Sequence, residues 1–241
     1  MKTVCAFGDS VLKGIVLDEN HKKYKITQNS FSNLCKNTLG IQIDNRGKFG
    51  STIKNGEISF ERYLNSLKEY HYVIFEFGGN DCDFNWRAIS ENPDKEHQPN
   101  NTILEFHSVY NKMIQKVKEL SITPVLLSLP PIDAKCYFKT ISYQLNRENI
   151  KKWMNGNIDF ITNWHEMYNL EVFKIAIENR ISVIDITSEF LKQKNYKDFL
   201  CEDGIHPNDK GHEIIAEAIK NYITDKFHSV EDWKSSELKI I

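Results

Sequence analysis

Five short runs of apolar residues alternate along the chain with longer stretches whose apolar positions recur at helical spacing. The apolar runs cover residues 3–7, 41–43, 72–77, 123–129 and 181–186, and each ends at glycine, proline or polar residues. Helical periodicity covers residues 57–69, 103–120 and about 158–177. A last helix is predicted from Asn208 or Asp209, either of which is a suitable N-cap, to about residue 227. The pattern predicts five strands separated by helices.

Strands that alternate with helices are typical of βαβ units, in which a parallel sheet is covered by helices on both faces. No internal repeat or flexible linker divides the chain, so we predict one domain over residues 1–241. Two segments, at about 81–101 and 133–164, are additions to this frame; the first is polar and the second is rich in aromatic residues. Both follow the carboxyl end of a strand, where open α/β sheets place their ligands, so we expect them to form lids or substrate walls.

Composition and charge exclude several classes of protein. The chain has 241 residues, of which 40% are hydrophobic and 27% charged, which is typical of a globular protein rather than a disordered one. The net charge of −2 gives no support for binding to nucleic acid or to a membrane surface. No apolar run approaches the ~18 residues of a membrane span. The N-terminus leads directly into the first strand without a signal-peptide core, so we expect a cytoplasmic protein.

The five cysteines are odd in number and show no CxxC spacing. They are Cys5, Cys35, Cys82, Cys136 and Cys201. In a chain without a leader, this pattern favours reduced thiols over disulfides. The absence of any Cys/His cluster with ligand spacing argues against a zinc site.

The loop after the first strand reads Gly8-Asp9-Ser10 and contains a candidate nucleophile. A serine at a strand-to-helix turn exposes its hydroxyl, and its own N–H can stabilise an oxyanion. Ser10 can equally serve only as a helix cap, which would be the better interpretation of this loop taken alone. The G-x-S-x-G elbow of α/β-hydrolases is not present, because Leu12 stands where its second glycine belongs.

The last loop, residues 203–207, offers an imidazole and a carboxylate that can activate a serine. Asp203 and His206 are three residues apart and precede a capped helix. The spacing itself is uninformative, because five of the eight histidines share it. Asp209 and His212 are the main rivals, although Asp209 suits a cap and His212 falls within the first helical turns. Position in a loop after the fifth strand therefore favours His206 as the base.

Two further loops can supply hydrogen-bond donors. Asn80, in Gly78-Gly79-Asn80-Asp81 after the third strand, can donate its amide to a developing oxyanion, or it can be an ordinary turn residue. The loop at residues 45–52 contains Gly47 and Gly50, either of which can offer a backbone N–H. Taken alone, this loop can also be a generic anion nest, but it lacks the spacing of a P-loop.

Taken in order, these four loops resemble the motifs of the SGNH (GDSL-type) hydrolase superfamily over nearly the whole chain. The resemblance implies a flavodoxin-like three-layer α/β/α sandwich with a five-stranded parallel sheet and no metal or organic cofactor. It also implies a catalytic triad of Ser10, Asp203 and His206. The implied oxyanion hole consists of the Ser10 N–H, the Gly50 N–H and the Asn80 side chain. The motif departs from the family only in Val11, which stands where a leucine is usual.

The resemblance implies a serine ester hydrolase that acts through an acyl-serine intermediate. The polar and aromatic character of the insertions favours a small or carbohydrate-borne ester, and Asp9, Trp86 and Arg87 are candidate substrate-binding residues. Trp86 is expected to form either an apolar platform with Asp83 and Arg87 at its rim, or a packing anchor. A carbohydrate- or partner-binding protein on a catalytically weak scaffold and a nucleotide-binding flavodoxin-like protein are the alternatives. The complete triad argues against the first, and the poor phosphate loop argues against the second. The oligomeric state is left open.

Overall fold

The strands of the computed structural model include the five that the apolar runs predict. The model describes residues 2–18 and 22–236. Its strands are β1 (Val4–Gly8), β2 (Ile15–Asp18), β3 (Lys23–Ile26), β4 (Ile43–Asn45), β5 (Tyr72–Glu76), β6 (Thr123–Leu127) and β7 (Ser182–Ile184). β1, β4, β5, β6 and β7 are the predicted strands, with ends that differ by a few residues, whereas β2 and β3 were not predicted.

Helices fill the connections between the strands. They are α1 (Ser10–Lys13), α2 (Phe31–Leu34), α3 (Ile53–Tyr63), α4 (Trp86–Glu91), α5 (Ile103–Glu119), α6 (Ala134–Ile141), α7 (Arg147–Trp153), α8 (Phe160–Asn179), α9 (Ile186–Leu191), α10 (Asp209–Phe227) and α11 (Val230–Ser235). A π-helical turn follows α2, and short 3₁₀ helices follow α3 and precede the last loop. No helix among the described residues is both long and apolar enough to cross a membrane.

The five predicted strands form one parallel sheet in the order β4-β1-β5-β6-β7. In the register of β1, Ala6 pairs with Asn45 of β4 on one side and Ile74 of β5 on the other. The chain moves outward from β1 to β4 and then returns past β1 to β5. Such a reversal opens a crevice at the carboxyl ends of the central strands. The predicted α/β class with a five-stranded parallel sheet is confirmed.

Alternate residues of β1 supply the cores on the two faces of the sheet. Val4 and Ala6 pack in a buried cluster with α2 and α10, whereas Cys5 and Phe7 pack in a second cluster with α3, α5 and α8. Since successive side chains of a strand point to opposite faces, a strand buried on both sides must be apolar throughout. This requirement explains why the strands appear in the sequence as continuous apolar runs.

Two helices show how local sequence sets the helix boundaries. α5 begins at a capping box in which Thr102 accepts from the Glu105 N–H and Glu105 accepts from the Thr102 N–H. At the start of α10, the Asn208 side chain accepts from the Gly211 N–H at 3.1 Å, so Asn208 is the N-cap. The preference for Asp209 as the cap was wrong, because its carboxylate instead accepts hydrogen bonds from Thr27 and Asn29.

The two insertions pack against each other beside the carboxyl edge of the sheet. The first contains α4, and the second contains α6, α7 and the start of α8. The ring centroids of Phe84 and Trp153 lie 4.9 Å apart in a T-shaped contact, and the Asn149 side chain donates to the Ser90 carbonyl at 2.7 Å. These contacts form a third hydrophobic cluster that walls one side of the crevice.

Candidate active site

Ser10 lies where β1 ends and α1 begins. Asp9 is the N-cap of the helix and accepts from the Val11 N–H at 2.8 Å, which makes Ser10 the first helical residue. The side chain of Ser10 is largely buried, with 6% of the residue exposed. Its Oγ lies 2.9 Å from Nε2 of His206, although the two residues are almost the whole chain apart. The structure therefore brings the candidate nucleophile and the candidate base into hydrogen-bonding contact.

The loop between the last 3₁₀ helix and α10 holds Asp203 and His206 together. A β-bridge between Leu200 and Pro207 closes the base of the loop. Oδ2 of Asp203 lies 2.7 Å from Nδ1 of His206, and Oδ1 accepts the N–H groups of Ile205 and His206, each at 3.1 Å. A carboxylate next to Nδ1 favours the tautomer in which Nδ1 carries the proton, and the Nε2 lone pair then faces the Ser10 hydroxyl.

Asp203 remains ionised despite its burial. Burial alone would raise the pKa of this carboxyl, but the hydrogen bond and positive charge of His206, with the two backbone N–H donors, bring the pKa below its ordinary value. A charged carboxylate can stabilise the imidazolium that forms when His206 accepts a proton.

His212, the rival base, lies away from the serine. It is fully buried, its ring stacks on Phe31, and its Nδ1 accepts from the Phe31 N–H at 3.4 Å. Burial lowers the pKa of His212 to about 4. We therefore interpret His212 as a neutral core residue that packs α10 against α2.

Replacing His212 with asparagine is expected to make the protein less sensitive to acid. In the unfolded wild type, His212 has a pKa near 6.5, whereas in the folded protein its pKa is about 4. Between these pH values the unfolded state binds a proton that the folded state does not bind, so acid favours unfolding. The free energy of unfolding should fall by on the order of 3 kcal/mol from this group between pH 6.5 and 4. Urea unfolding of both proteins across this range measures the difference, and parallel pH curves would contradict the assignment.

Ser10, Gly50 and Asn80 line the same cavity, and each carries an N–H group that can donate a hydrogen bond. Gly50 adopts a φ of +69°, a left-handed conformation that suits glycine, and nothing lies within 4 Å of where a Cβ would be. Among the described residues, no acceptor takes a hydrogen bond from the backbone N–H of Ser10 or of Gly50. Asn80 also lines this cavity, and its side-chain amide can offer a further N–H. Donors of this kind can bind a developing oxyanion.

Asp9 is joined to Asn80 by a hydrogen bond that fixes the orientation of the Asn80 amide. Its Oδ2 accepts one N–H of the Asn80 amide at 2.9 Å, while its Oδ1 caps α1. An amide nitrogen carries two hydrogens, so the second one stays available to an oxyanion. Both carboxylate oxygens of Asp9 thus accept hydrogen bonds within the protein, and because Asp9 also lines the cavity, its contact with substrate stays a prediction.

A second carboxyl group, Glu76, lies beneath Asp9. Its Oε2 accepts the N–H groups of Asp9 at 3.3 Å and of Leu12 at 3.2 Å, and both acidic residues are buried. Burial raises the pKa of Glu76 well above its ordinary value, and the charge of Asp9 raises it further. Glu76 is therefore protonated when Asp9 is ionised, which avoids two adjacent buried charges.

Replacing Asp9 with asparagine is expected to lower kcat by about 10- to 100-fold with little change in KM, because an oxyanion donor acts mainly in the transition state. The carboxylate of Asp9 accepts hydrogen bonds on both oxygens, but the amide of asparagine has only one oxygen. If its NH₂ group faces Asn80, the hydrogen bond that orients the Asn80 side chain is lost. Steady-state kinetics on an aryl acetate, with the melting temperature as a folding control, measures the effect. A rise in KM at constant kcat would indicate that Asp9 binds the substrate.

The cavity at this site has an empty volume of about 960 Å³, including its open mouth. Its inner wall is apolar and largely aromatic, and comes from the loop after β6 and from both insertions. The residues of this wall are Cys82, Phe84, Trp86, Leu129, Pro130, Ile132, Phe160, Ile161 and Trp164. The mouth is bordered by Tyr24 and Phe49, next to His206. Both insertions contribute residues to the lining, a position that either predicted role, lid or substrate wall, requires.

Trp86 and Arg87 differ from the predicted platform. Trp86 lines the cavity but is only 8% exposed, because it packs on Phe84 and Trp153 and donates its indole N–H to Asp83 at 2.7 Å. Trp86 therefore anchors the first insertion, and only a small part of its side chain is open to the cavity. Arg87 is exposed on α4 and is not among the residues that line the cavity, so its contact with substrate stays a prediction that the structure does not support.

Cys82 also lines the cavity but is a poor rival to Ser10. Its thiol donates to the Gly79 carbonyl at 3.2 Å, and burial raises its pKa well above the ordinary value. A thiol that stays protonated is a weak nucleophile. Across residues 2–18 and 22–236, no group of three or more His, Cys, Asp and Glu side chains is arranged to hold a metal ion.

Sequence reasoning missed Glu76, Tyr24 and Phe49. Glu76 is the only charged position in an otherwise apolar strand β5, and a charge in a strand buried on both faces is a signal of a built polar contact. Tyr24 and Phe49 gave no signal, because each lies in a short exposed segment whose neighbours are remote in sequence.

Comparisons with known proteins agree with this architecture. The model of the GDSL-like lipase/acylhydrolase family matches residues 6–214. A search of curated proteins found no match.

Solved structures of similar fold cover nearly the whole chain. A lipase/acylhydrolase from Enterococcus faecalis is 19% identical with a TM-score of 0.62, over 94% of this chain and 97% of that one. A G-D-S-L family lipolytic protein from Veillonella parvula is 14% identical with a TM-score of 0.63, over 93% and 99%. A catalytic mutant of Axe2, an acetylxylan esterase from Geobacillus stearothermophilus, is 20% identical with a TM-score of 0.62, over 92% and 94%. At these identities the likeness is one of fold.

Proposed function

Because the chain belongs to the GDSL-like lipase/acylhydrolase family, we propose that it is a serine ester hydrolase that forms an acyl-serine intermediate on Ser10. One observation carries the proposal. Ser10, His206 and Asp203 form a continuous hydrogen-bonded chain, with distances of 2.9 and 2.7 Å, at the wall of a cavity large enough for a small-molecule ester.

In the first half-reaction, Ser10 Oγ attacks the ester carbonyl carbon while Nε2 of His206 accepts the hydroxyl proton. The carbonyl oxygen becomes an oxyanion that accepts hydrogen bonds from the N–H groups of Ser10, Gly50 and Asn80. Asp203 stabilises the imidazolium without taking its proton. When the bond to the alcohol breaks, His206 returns the proton to the leaving oxygen, and the acyl group remains on Ser10.

In the second half-reaction, water takes the place of the alcohol. His206 accepts a proton from the water as its oxygen attacks the acyl carbon, and the same donors hold the second oxyanion. Collapse of this intermediate returns the proton to Ser10 Oγ and releases the carboxylic acid. The triad is then restored.

The size of the cavity favours a small ester that fits between the insertions. Its apolar wall favours a substrate in which the acyl group or the alcohol has an apolar face. The volume of about 960 Å³ includes the open mouth, so the cavity can hold the acyl group while part of the alcohol extends toward solvent. The aromatic walls suit either an apolar chain or the C–H face of a sugar ring. A small or carbohydrate-borne acyl ester is therefore the substrate class that we propose.

Hydrolysis of a chromogenic acetate ester by the purified protein tests the proposal. Turnover that a serine-reactive phosphonate abolishes, with a stoichiometry of one phosphonate per chain, is the expected result. Binding of acylated sugars without any turnover would instead indicate a binding protein on a catalytically weak scaffold.

A further inference from the structure

Two exposed aromatic rings flank the imidazole of His206 at the mouth of the cavity. Tyr24, on β3, lies 5.1 Å from the imidazole between ring centroids, and Phe49 stacks parallel to it at 6.0 Å. The two rings contact each other at 5.2 Å, yet 42% of Tyr24 and 55% of Phe49 stay exposed. Large aromatic side chains that remain open beside a reactive group are typical of binding surfaces.

The position of Tyr24 is built into the fold by contacts between the β2–β3 hairpin and the loop of His206. In the hairpin, Tyr24 pairs with Leu17, whose N–H donates to Cys201 Sγ at 3.4 Å. Lys22 forms an ion pair with Glu202 in the same loop. After the hairpin, Thr27 donates to Asp209 at 2.6 Å. The hairpin is therefore attached along its length to the segment that carries the base.

The chemistry of the proposed hydrolase decides which part of the substrate meets these rings. His206 must return its proton to the leaving oxygen, so the alcohol lies on the His206 side of the scissile bond. The oxyanion lies toward Gly50 and Asn80, and the acyl group takes the remaining direction. Since Tyr24 and Phe49 border His206, they border the alcohol.

Resting on the proposed function, we infer that Tyr24 and Phe49 form the leaving-group subsite and select an alcohol that presents a flat apolar face. A pyranose ring is the class that fits best, because its C–H face can lie on the rings while its hydroxyls remain in water at the open mouth. A flexible glycerol or fatty alcohol has no such face to match. Selection for a ring alcohol thus resides in Tyr24 and Phe49, and the predicted platform at Trp86 is replaced by this pair.

Transfer of the acyl group from Ser10 to an added alcohol tests this subsite independently of the other steps of the mechanism. An alcohol that attacks the acyl-serine occupies the leaving-group position in reverse, whereas water attacks from the same side but has no carbon skeleton to lie on the two rings. The acyl-enzyme is formed from p-nitrophenyl acetate, and the yields of acetylated methyl glucoside, ethyl acetate and free acetate are measured with methyl glucoside or ethanol as acceptor. The wild type should transfer to methyl glucoside more efficiently than to ethanol at equal concentration.

Phe49→Leu and Tyr24→Ala should each lower the ratio of transfer to methyl glucoside over transfer to ethanol by about five- to tenfold, the size of one aromatic contact. The ratio is used because both rings contact His206, so either variant can also change the rate that the two acceptors share. Tyr24→Phe keeps the ring and removes only the hydroxyl, which interacts with Asp203, so it should keep the wild-type ratio. Tyr143→Ala removes an exposed ring outside the cavity lining and serves as the matched control.

Three results would overturn the inference. One is equal transfer to both acceptors by the wild type, and another is unchanged transfer to methyl glucoside in both ring variants. The third is a parallel loss with both acceptors and with water, which would mean that the rings only support His206. In each case the acyl-enzyme still forms, so the proposed function survives. Failure of p-nitrophenyl acetate to acylate Ser10 would instead remove the proposed function itself.

Discussion

Ser10→Ala is expected to lower kcat for ester hydrolysis by about 10⁴- to 10⁶-fold while the protein stays folded. The loss is large because Ser10 Oγ makes the bond that defines the first half-reaction, and it is the hydroxyl from which His206 accepts the proton. The substitution removes one oxygen from a residue at the wall of the cavity, so packing changes little. Steady-state rates on a chromogenic acetate, with circular dichroism and melting temperature as folding controls, measure the effect.

Cys82→Ser is the matched control for Ser10→Ala, because it changes the other nucleophilic side chain in the cavity lining. This variant should keep most of the wild-type rate, since the pKa of the Cys82 thiol is raised by burial. If Ser10→Ala retained most of the activity, or if Cys82→Ser folded but lost it, the nucleophile would have to be reassigned to the thiol.

His206→Ala is expected to lower kcat about as much as loss of the serine, because the members of a triad act as one unit. Without the imidazole, no group accepts the Ser10 proton at 2.9 Å, and Asp203 becomes a buried carboxylate with its ring partner removed. His212→Asn is the comparison, since it alters a buried histidine of the same region that does not contact Ser10. The second variant should affect stability far more than kcat.

Kinetics of both histidine variants on one substrate, below and above pH 7, distinguish the two residues. We expect near-complete loss with His206→Ala at every pH and a rate within about tenfold of the wild type with His212→Asn. The reverse ranking in kcat would show that the base had been placed in the wrong loop.

The sheet could be predicted from the sequence because a strand that is buried on both faces appears as a run of consecutive apolar residues. β1, β5 and β6 are continuous apolar runs that end at glycine or proline, and α5 carries its capping residues within four positions of its start. The loops of Ser10, Asn80 and His206 were found because short polar motifs follow these runs. In each case the physical constraint acts on neighbours in the sequence.

The parts that were missed depend on contacts between distant segments. The role of Asp9 is set by Asn80, 71 positions later, and by Glu76 beneath it. The β2–β3 hairpin has an exposed second strand, so no apolar run marks it, and it is held in place by residues about 180 positions away. Arg87 was assigned to the substrate because of its position in the chain, and helix α4 turns it to solvent.

The most direct test of the proposed chemistry is to trap the acyl-enzyme and locate the added mass. The protein is mixed with p-nitrophenyl acetate, quenched in acid within milliseconds to seconds, digested and analysed by mass spectrometry. We expect one acetyl group per chain, on the peptide that contains Ser10, and no such adduct in Ser10→Ala. An acetyl group on Cys82 instead, or product release by the wild type without any adduct on Ser10 at any quench time, would contradict the proposed chemistry.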